Sequence, residues 1–368
     1  MSPKGEKKPK KLSKLEVWLN DHLIRIPMMQ KILFVHNLSI MVKAGLSIVD
    51  GLKILAEQVE NKRLKSIIRE VKDRVEKGEQ LSDALSEFPQ VFPSIYVSMI
   101  AAGEAAGKLE ESLTQVSSQM KKSYELSSHI KGALIYPAVV LIAMAGVGVG
   151  MVVFVLPKIL GMFNEMNVEL PLPTRILIFV VNSTQKYGIF MLFGFIMFIG
   201  LCVWLMKKPR VKEVVHGLIL KLPIFGPVIK KVNIARFTMT LSSLLKSAIP
   251  IIDAVKITSN VEGNVKYRND LLAVSESLKK GEALSESLAR SPSRFPPMVV
   301  QMIMVGEQSG EVESMLKELS DYYSDEVDNT MKNFSTIIEP VLILLLGIGV
   351  AGIAVSVIMP IYSLTQNI

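Results

Sequence analysis

Two carboxylates in this chain stand in the same frame: Gly103-Glu104-Ala105-Ala106-Gly107 and Gly306-Glu307-Gln308-Ser309-Gly310. A carboxylate between glycines can accept backbone amides or pair with a basic partner, but covalent chemistry needs a base, nucleophile or metal beside it. Those groups are scattered. Cys202 is the single cysteine and lies in an apolar run, and His22, His36, His129 and His216 are too far apart for a sequence-local metal pair. No GxxxxGK(S/T) phosphate loop, GxSxG elbow or HExxH helix occurs. The chain is expected to be no enzyme and to hold no metal or cofactor.

Two readings of the glycine-glutamate frame stay open. In the first it is a helix junction: one glycine ends a helix, the other opens the next, and Glu110 and Glu111, or Glu311 and Glu313, follow where the helix dipole favours acids. In the second it is a surface for docking a partner, because Glu104 and Glu307 recur where a cap alone requires no carboxylate. Gly103, Glu104, Gly107, Gly306, Glu307 and Gly310 are the candidate partner-binding positions.

The elements that position these residues are written twice. Lys77 to Leu113 and Lys280 to Leu316 align without a gap at an offset of 203 residues, with 17 identities in 37 positions. The same offset carries Phe34 onto Phe237, Leu38 onto Leu241, Lys43 onto Lys246, Asp50 onto Asp253, Pro137 onto Pro340, Gly146 onto Gly349 and Pro157 onto Pro360. A one-residue slip near Glu60 is its only apparent fault. The repeat unit is therefore a polar helical domain followed by an apolar run.

Hydrophobic residues make up 49% of the 368, which points to membrane segments. Ala133 to Leu156 is 24 residues without a charge, and Tyr187 to Met206 is 20, each long enough to cross a hydrocarbon core of about 30 Å. Thr174 to Val181 is too short by itself. A third span covers residues 337–360, its apolar centre from about Val341 to Ile358. Two copies in the same direction need an unpaired crossing between them, and 187–206 supplies it. Lys and Arg number 21 before residue 133, 18 from 207 to 336, and 3 from 157 to 186. The positive-inside rule then expects both repeat domains and the N-terminus in the cytoplasm, and the middle segment and C-terminus outside.

The fold expected is an all-α membrane protein: two repeated cytoplasmic helical bundles and three transmembrane helices. In order these are a basic tail and amphipathic helix (1–30), bundle one (31–132), a span (133–156), an external loop (157–186), a span (187–206), bundle two (207–336), a span (337–360) and an external tail (361–368). The first fourteen residues carry six lysines, and Leu15, Trp18, Leu19, Leu23 and Ile26 recur at helical spacing behind them. That helix either lies on anionic lipid or packs on a neighbouring domain or partner.

Local signals agree with helices. Ser47 and Asp50 form a capping box. Pro250 replaces Ser47 and suits a first helical position, and Gly78 can end a helix in the left-handed conformation. Gly146 with Gly150, and Gly347 with Ala351, are small-residue pairs that let helices approach closely. Tyr136-Pro137 and Glu339-Pro340 mark the entries of the first and third spans. A carboxylate at a span edge either snorkels to headgroups or meets a charged partner helix.

The duplicated KGExLS and GExxG motifs, Tyr-Pro at the first span and Glu-Pro at the third, resemble the inner-membrane platform proteins of type IV pilus and type II secretion machines, the PilC/GspF family. The resemblance covers Phe34 to Ile361. It implies six-helix cytoplasmic bundles and homo-oligomers in the inner membrane. It also implies partners: a cytoplasmic hexameric assembly ATPase, pilins or pseudopilins, other inner-membrane assembly proteins, and membrane lipid. Many members carry a small extra segment before the first repeat, where this chain has a basic tail and amphipathic helix, so contacts of that segment are not carried over. A membrane transporter built as an oligomer is the rival reading, favoured by repeats around spans; the spans lack a charged relay. Nucleic acid is not an expected partner, because Lys and Arg are interspersed with Asp and Glu through both bundles.

Overall fold

Apolar residues recur at helical intervals along the chain, and every regular element among the described residues is a helix. The computed structural model describes residues 26–165, 172–223 and 225–366, so the expected N-terminal amphipathic helix lies outside them up to residue 25. The first copy runs α1 (Met28–Lys43), α2 (Ile48–Gln58), α3 (Lys62–Glu76), α4 (Leu81–Ser86), α5 (Ser94–Ala105) and the long α6 (Leu109–Gly150). The second runs α10 (Phe225–Lys246), α11 (Ile251–Val261), α12 (Val265–Lys279), α13 (Leu284–Ala289), α14 (Pro297–Ser309) and α15 (Val312–Gln366). Between them lie a π-turn at Met151–Val155, α7 (Leu156–Glu165), α8 (Leu172–Met206) and α9 (Pro209–Ile219).

Equivalent helices start and stop by related means. Asn61 accepts from the Arg63 and Leu64 amides at the head of α3, and Asn264 accepts from Lys266 at the head of α12. These caps are 203 residues apart, so the apparent slip near Glu60 does not exist. Ser47 accepts from the Asp50 amide at 3.1 Å, but the carboxylate takes the Ser47 hydroxyl at 2.6 Å and not the expected backbone amide. Pro250 occupies the N-cap, one residue before the helical position expected of it, with extended ψ of 141°.

Each copy closes on an aromatic pair. Phe34 and Phe92 lie 5.8 Å apart, Phe237 and Phe295 5.5 Å apart, and all four are at most 2% exposed. Tyr267 replaces Leu64 of the first copy; its ring meets Phe295 edge-on and its hydroxyl donates to the Arg294 carbonyl, so a buried phenol is satisfied. Burial of such side chains contributes about 2 kcal/mol each.

The chain divides into two compact units: residues through Glu125 with Asn233–Tyr322, and Leu126–Val232 with Tyr323 onward. The first holds the cores of both copies, which meet directly. Gln115 donates to the Ser243 carbonyl, the Ser243 hydroxyl donates to Gln119 at 2.6 Å, and Lys122 pairs with Asp321 at 3.3 Å.

Among the described residues three helices are long and apolar enough to cross a membrane: Leu109–Ile159, Thr174–Met206 and Val312–Ser356. α8 begins well before Tyr187 and takes in Thr174–Val181, because Asn182 to Lys186 contain no glycine or proline to stop it. The segment 157–186, expected as a loop, is thus helical at both ends. Thr174 is fully buried and donates to the Ser356 carbonyl at 2.8 Å, while Leu156 and Val181 pack with Val152, Ile159, Leu177, Ile178 and Ile353. Pro157 accounts for the π-turn. Its ring cannot abut a carbonyl four residues back, and the Leu156 amide reaches five residues back to Met151. The chain is an all-α membrane protein with two repeated helical bundles.

Candidate partner-docking site

The two glutamates singled out by the sequence perform one and the same task. Glu104 lies on α5 and reaches across to the head of α4, where its carboxylate oxygens accept from the Leu81 amide at 2.7 Å and the Ser82 amide at 2.9 Å. Glu307 on α14 does the same for α13, accepting from Leu284 at 2.6 Å and Ser285 at 3.2 Å, and from the Ser285 hydroxyl. Gln80 and Ala283, which precede these helices, make no side-chain cap bond. The orphaned amides of a six-residue helix are therefore satisfied by a carboxylate from 22–23 residues away, at the dipole end that favours negative charge. KGExLS and GExxG are one device: the glutamate of the second motif caps the Leu-Ser of the first.

The glycines have separate tasks, and neither is the one expected. Gly103 and Gly306 do not end their helices; both are buried inside them. A methyl group on Gly103 would stand 2.2 Å from the Ser112 Cβ, and one on Gly306 would stand 2.9 Å from the Val312 Cα. The space lets the next helix cross tightly. Gly107 and Gly310 then turn the chain with φ of 67° and 75°. The Lys108 and Glu311 amides bond back to the Gly103 and Gly306 carbonyls at 2.8 Å, the closing bond of a Schellman turn. Glu110 and Glu111 follow in the first turn of α6, and Glu313 in that of α15.

The corner of the first copy borders a cavity of about 550 Å³. Lys43 and Glu110, 3.6 Å apart, face it from one copy, and their counterparts Lys246 and Glu313 face it from the other. Lys317, which is exposed, also lines it, as do Ser242, Ser243 and Ser247. Such a wall suits a hydrated, charged partner segment. The register that pairs Lys43 with Lys246 was the only sign of this cavity in the sequence.

Pro137 and Pro340 lie within the continuous α6 and α15, and do not begin them. Tyr136 and Glu339 are exposed.

A family profile described as type II secretion system (T2SS), protein F, matches residues 34–157 and again 237–360. The chain belongs to the type II secretion system protein F family. The repeat of this family therefore comprises the capped bundle and the apolar helix after it. Among relatives, the type IV pilus assembly protein PilC of Myxococcus xanthus is 35% identical, over 92% of this chain and 81% of its own length. PilC of Thermus thermophilus is 32% identical over 93% and 86%. The type II secretion system protein F of Vibrio cholerae is 33% identical over 91% and 82%. The protein F family thus takes in proteins named for both machines, and the capping device described here lies inside both matched stretches.

Proposed function

We propose that this chain is a non-enzymatic platform protein of the bacterial inner membrane, coupling a cytoplasmic hexameric assembly ATPase to extraction and polymerisation of pilin-like subunits. The observation that carries this reading is the double match to a family whose relatives are named for type IV pilus assembly and type II secretion. The lysine and arginine excess on both bundles favours their placement in the cytoplasm, with residues 157–186 and the C-terminus outside. Bundles over 31–132 and 207–336, spans over 133–156, 187–206 and 337–360, and self-association in the membrane complete the reading.

Docking at the two corners is part of it. Gly103, Glu104, Gly107 and their counterparts Gly306, Glu307 and Gly310 hold the corners in shape, while Ala105 to Lys108 and Gln308 to Glu311 are exposed and available to the ATPase or another assembly protein. Ala106→Arg and Gln308→Arg test it in cells. Filament or pseudopilus assembly is expected to stop with the protein at its normal level in the membrane; full assembly in the double variant would remove the corners from the docking surface. Deletion of the whole chain is expected to leave pilin-like subunits in the membrane unassembled.

A further inference from the structure

α8 ends at Met206, and after Lys207 and Lys208 the chain resumes as α9 at Pro209. Lys208 breaks the helix with ψ of 127°, and proline at the first helical position has no amide to leave unbonded. The Lys208 ammonium sits 4.3 Å from the centre of the Trp204 ring. A tryptophan with a lysine at the end of an apolar helix marks the level of lipid headgroups. α9 therefore starts at the membrane surface.

No residue of α9 is buried. At about 100° per residue, Val211, Val214, Val215, Leu218 and Ile219 fall on one arc of about 140°. Val214 is 69% and Leu218 61% exposed. Arg210 and Lys212 flank this arc on its two sides, and Glu213 and His216 fall opposite. From Lys207 to Leu222 there are five basic residues and one acid. An apolar stripe edged by long cationic side chains lets the stems lie along hydrocarbon while the charges reach phosphate.

We infer that α9 lies in the plane of the membrane, its valine-leucine stripe at the acyl-chain boundary and Lys207, Lys208, Arg210 and Lys212 on anionic headgroups. The occupant of this face is lipid, because the stripe begins where a span ends and its flanks carry the complementary charge. The inference rests on reading α8 as a membrane span.

Spin labels on single cysteines test it in the full-length protein, with Cys202→Ser, reconstituted in nanodiscs of mixed phosphatidylglycerol and phosphatidylcholine. Labels at Val214→Cys and Leu218→Cys are expected to read a several-fold higher ratio of oxygen to water-soluble nickel-chelate relaxation than labels at Glu213→Cys and His216→Cys. The contrast should shrink in phosphatidylcholine alone and in Arg210→Gln/Lys212→Gln. Equal nickel access at Val214 and Glu213 would overturn the inference. Exclusion of both oxygen and nickel at Val214 and Leu218 would also overturn it, since protein would then cover the stripe. A label at Phe193→Cys in the middle of α8 reads the span itself and separates failure of this inference from failure of that reading.

Discussion

At the scale of single residues, the bundles are fixed by a carboxylate and two glycines per copy. Glu104→Ala removes two charge-assisted bonds from the head of α4, each contributing about 1.5–3 kcal/mol. The Leu81 and Ser82 amides should then exchange with deuterium at least about tenfold faster, while amides of α13, capped by Glu307, are unchanged. Gly103→Ala should cost about 1–3 kcal/mol in thermal unfolding of the detergent-solubilised protein, because Ser112 must move. Gly132→Ala, with nothing within 4 Å, should not. Glu262 is a different case. It is 1% exposed, and burial pushes its carboxyl up to about 8, although Arg236 and Arg268 pull the other way. Its folded value thus lies above its unfolded one, so the folded state holds the extra proton and stability falls as pH rises from about 4.5 to about 8. Melting temperatures across that window should fall less steeply in Glu262→Gln. Both readings of the glutamate frame started from local spacing. The amides that Glu104 accepts are 22–23 residues away, a contact that spacing alone does not reveal.

At the scale of elements, most helix boundaries were legible because their signals are local: Ser47 with Asp50, and the left-handed Gly78 at φ 93°. The second copy keeps the same geometry with poorer residues. Where the first has Gly45 at φ 85°, the second has Ala248 at φ 57°, which crowds the Cβ against the backbone. Ala248→Gly should therefore stabilise the second bundle by about 0.5 kcal/mol, read as a higher melting temperature, since relief of that crowding exceeds the entropy lost with glycine. Phe295→Ala should cost about 3–5 kcal/mol, since it removes the ring packed on both Phe237 and Tyr267. The early start of α8 was not legible, because hydropathy marks apolar length and says nothing about polar residues such as Asn182 and Gln185 that simply continue a helix.

At the scale of the whole molecule, the duplication was legible because identical residues recur at one fixed offset, and the double family match follows the same register. How the two copies meet was not. Gln119 against Ser243, Lys122 against Asp321, and Lys43 and Lys246 around one cavity are pairings of polar residues from different helices, which carry no periodic signal. The platform reading makes that shared surface the point where work enters the chain and the apolar helices the point where it leaves. Cross-linking mass spectrometry on native membranes, with the full chain tagged, tests this most directly. Cross-links from Lys246, Lys317 and Lys108 to a hexameric assembly ATPase, and from the ends of the apolar helices to pilin-like proteins, are the expected result. Cross-links from the same lysines and helices to solute-binding proteins or channel subunits would contradict it.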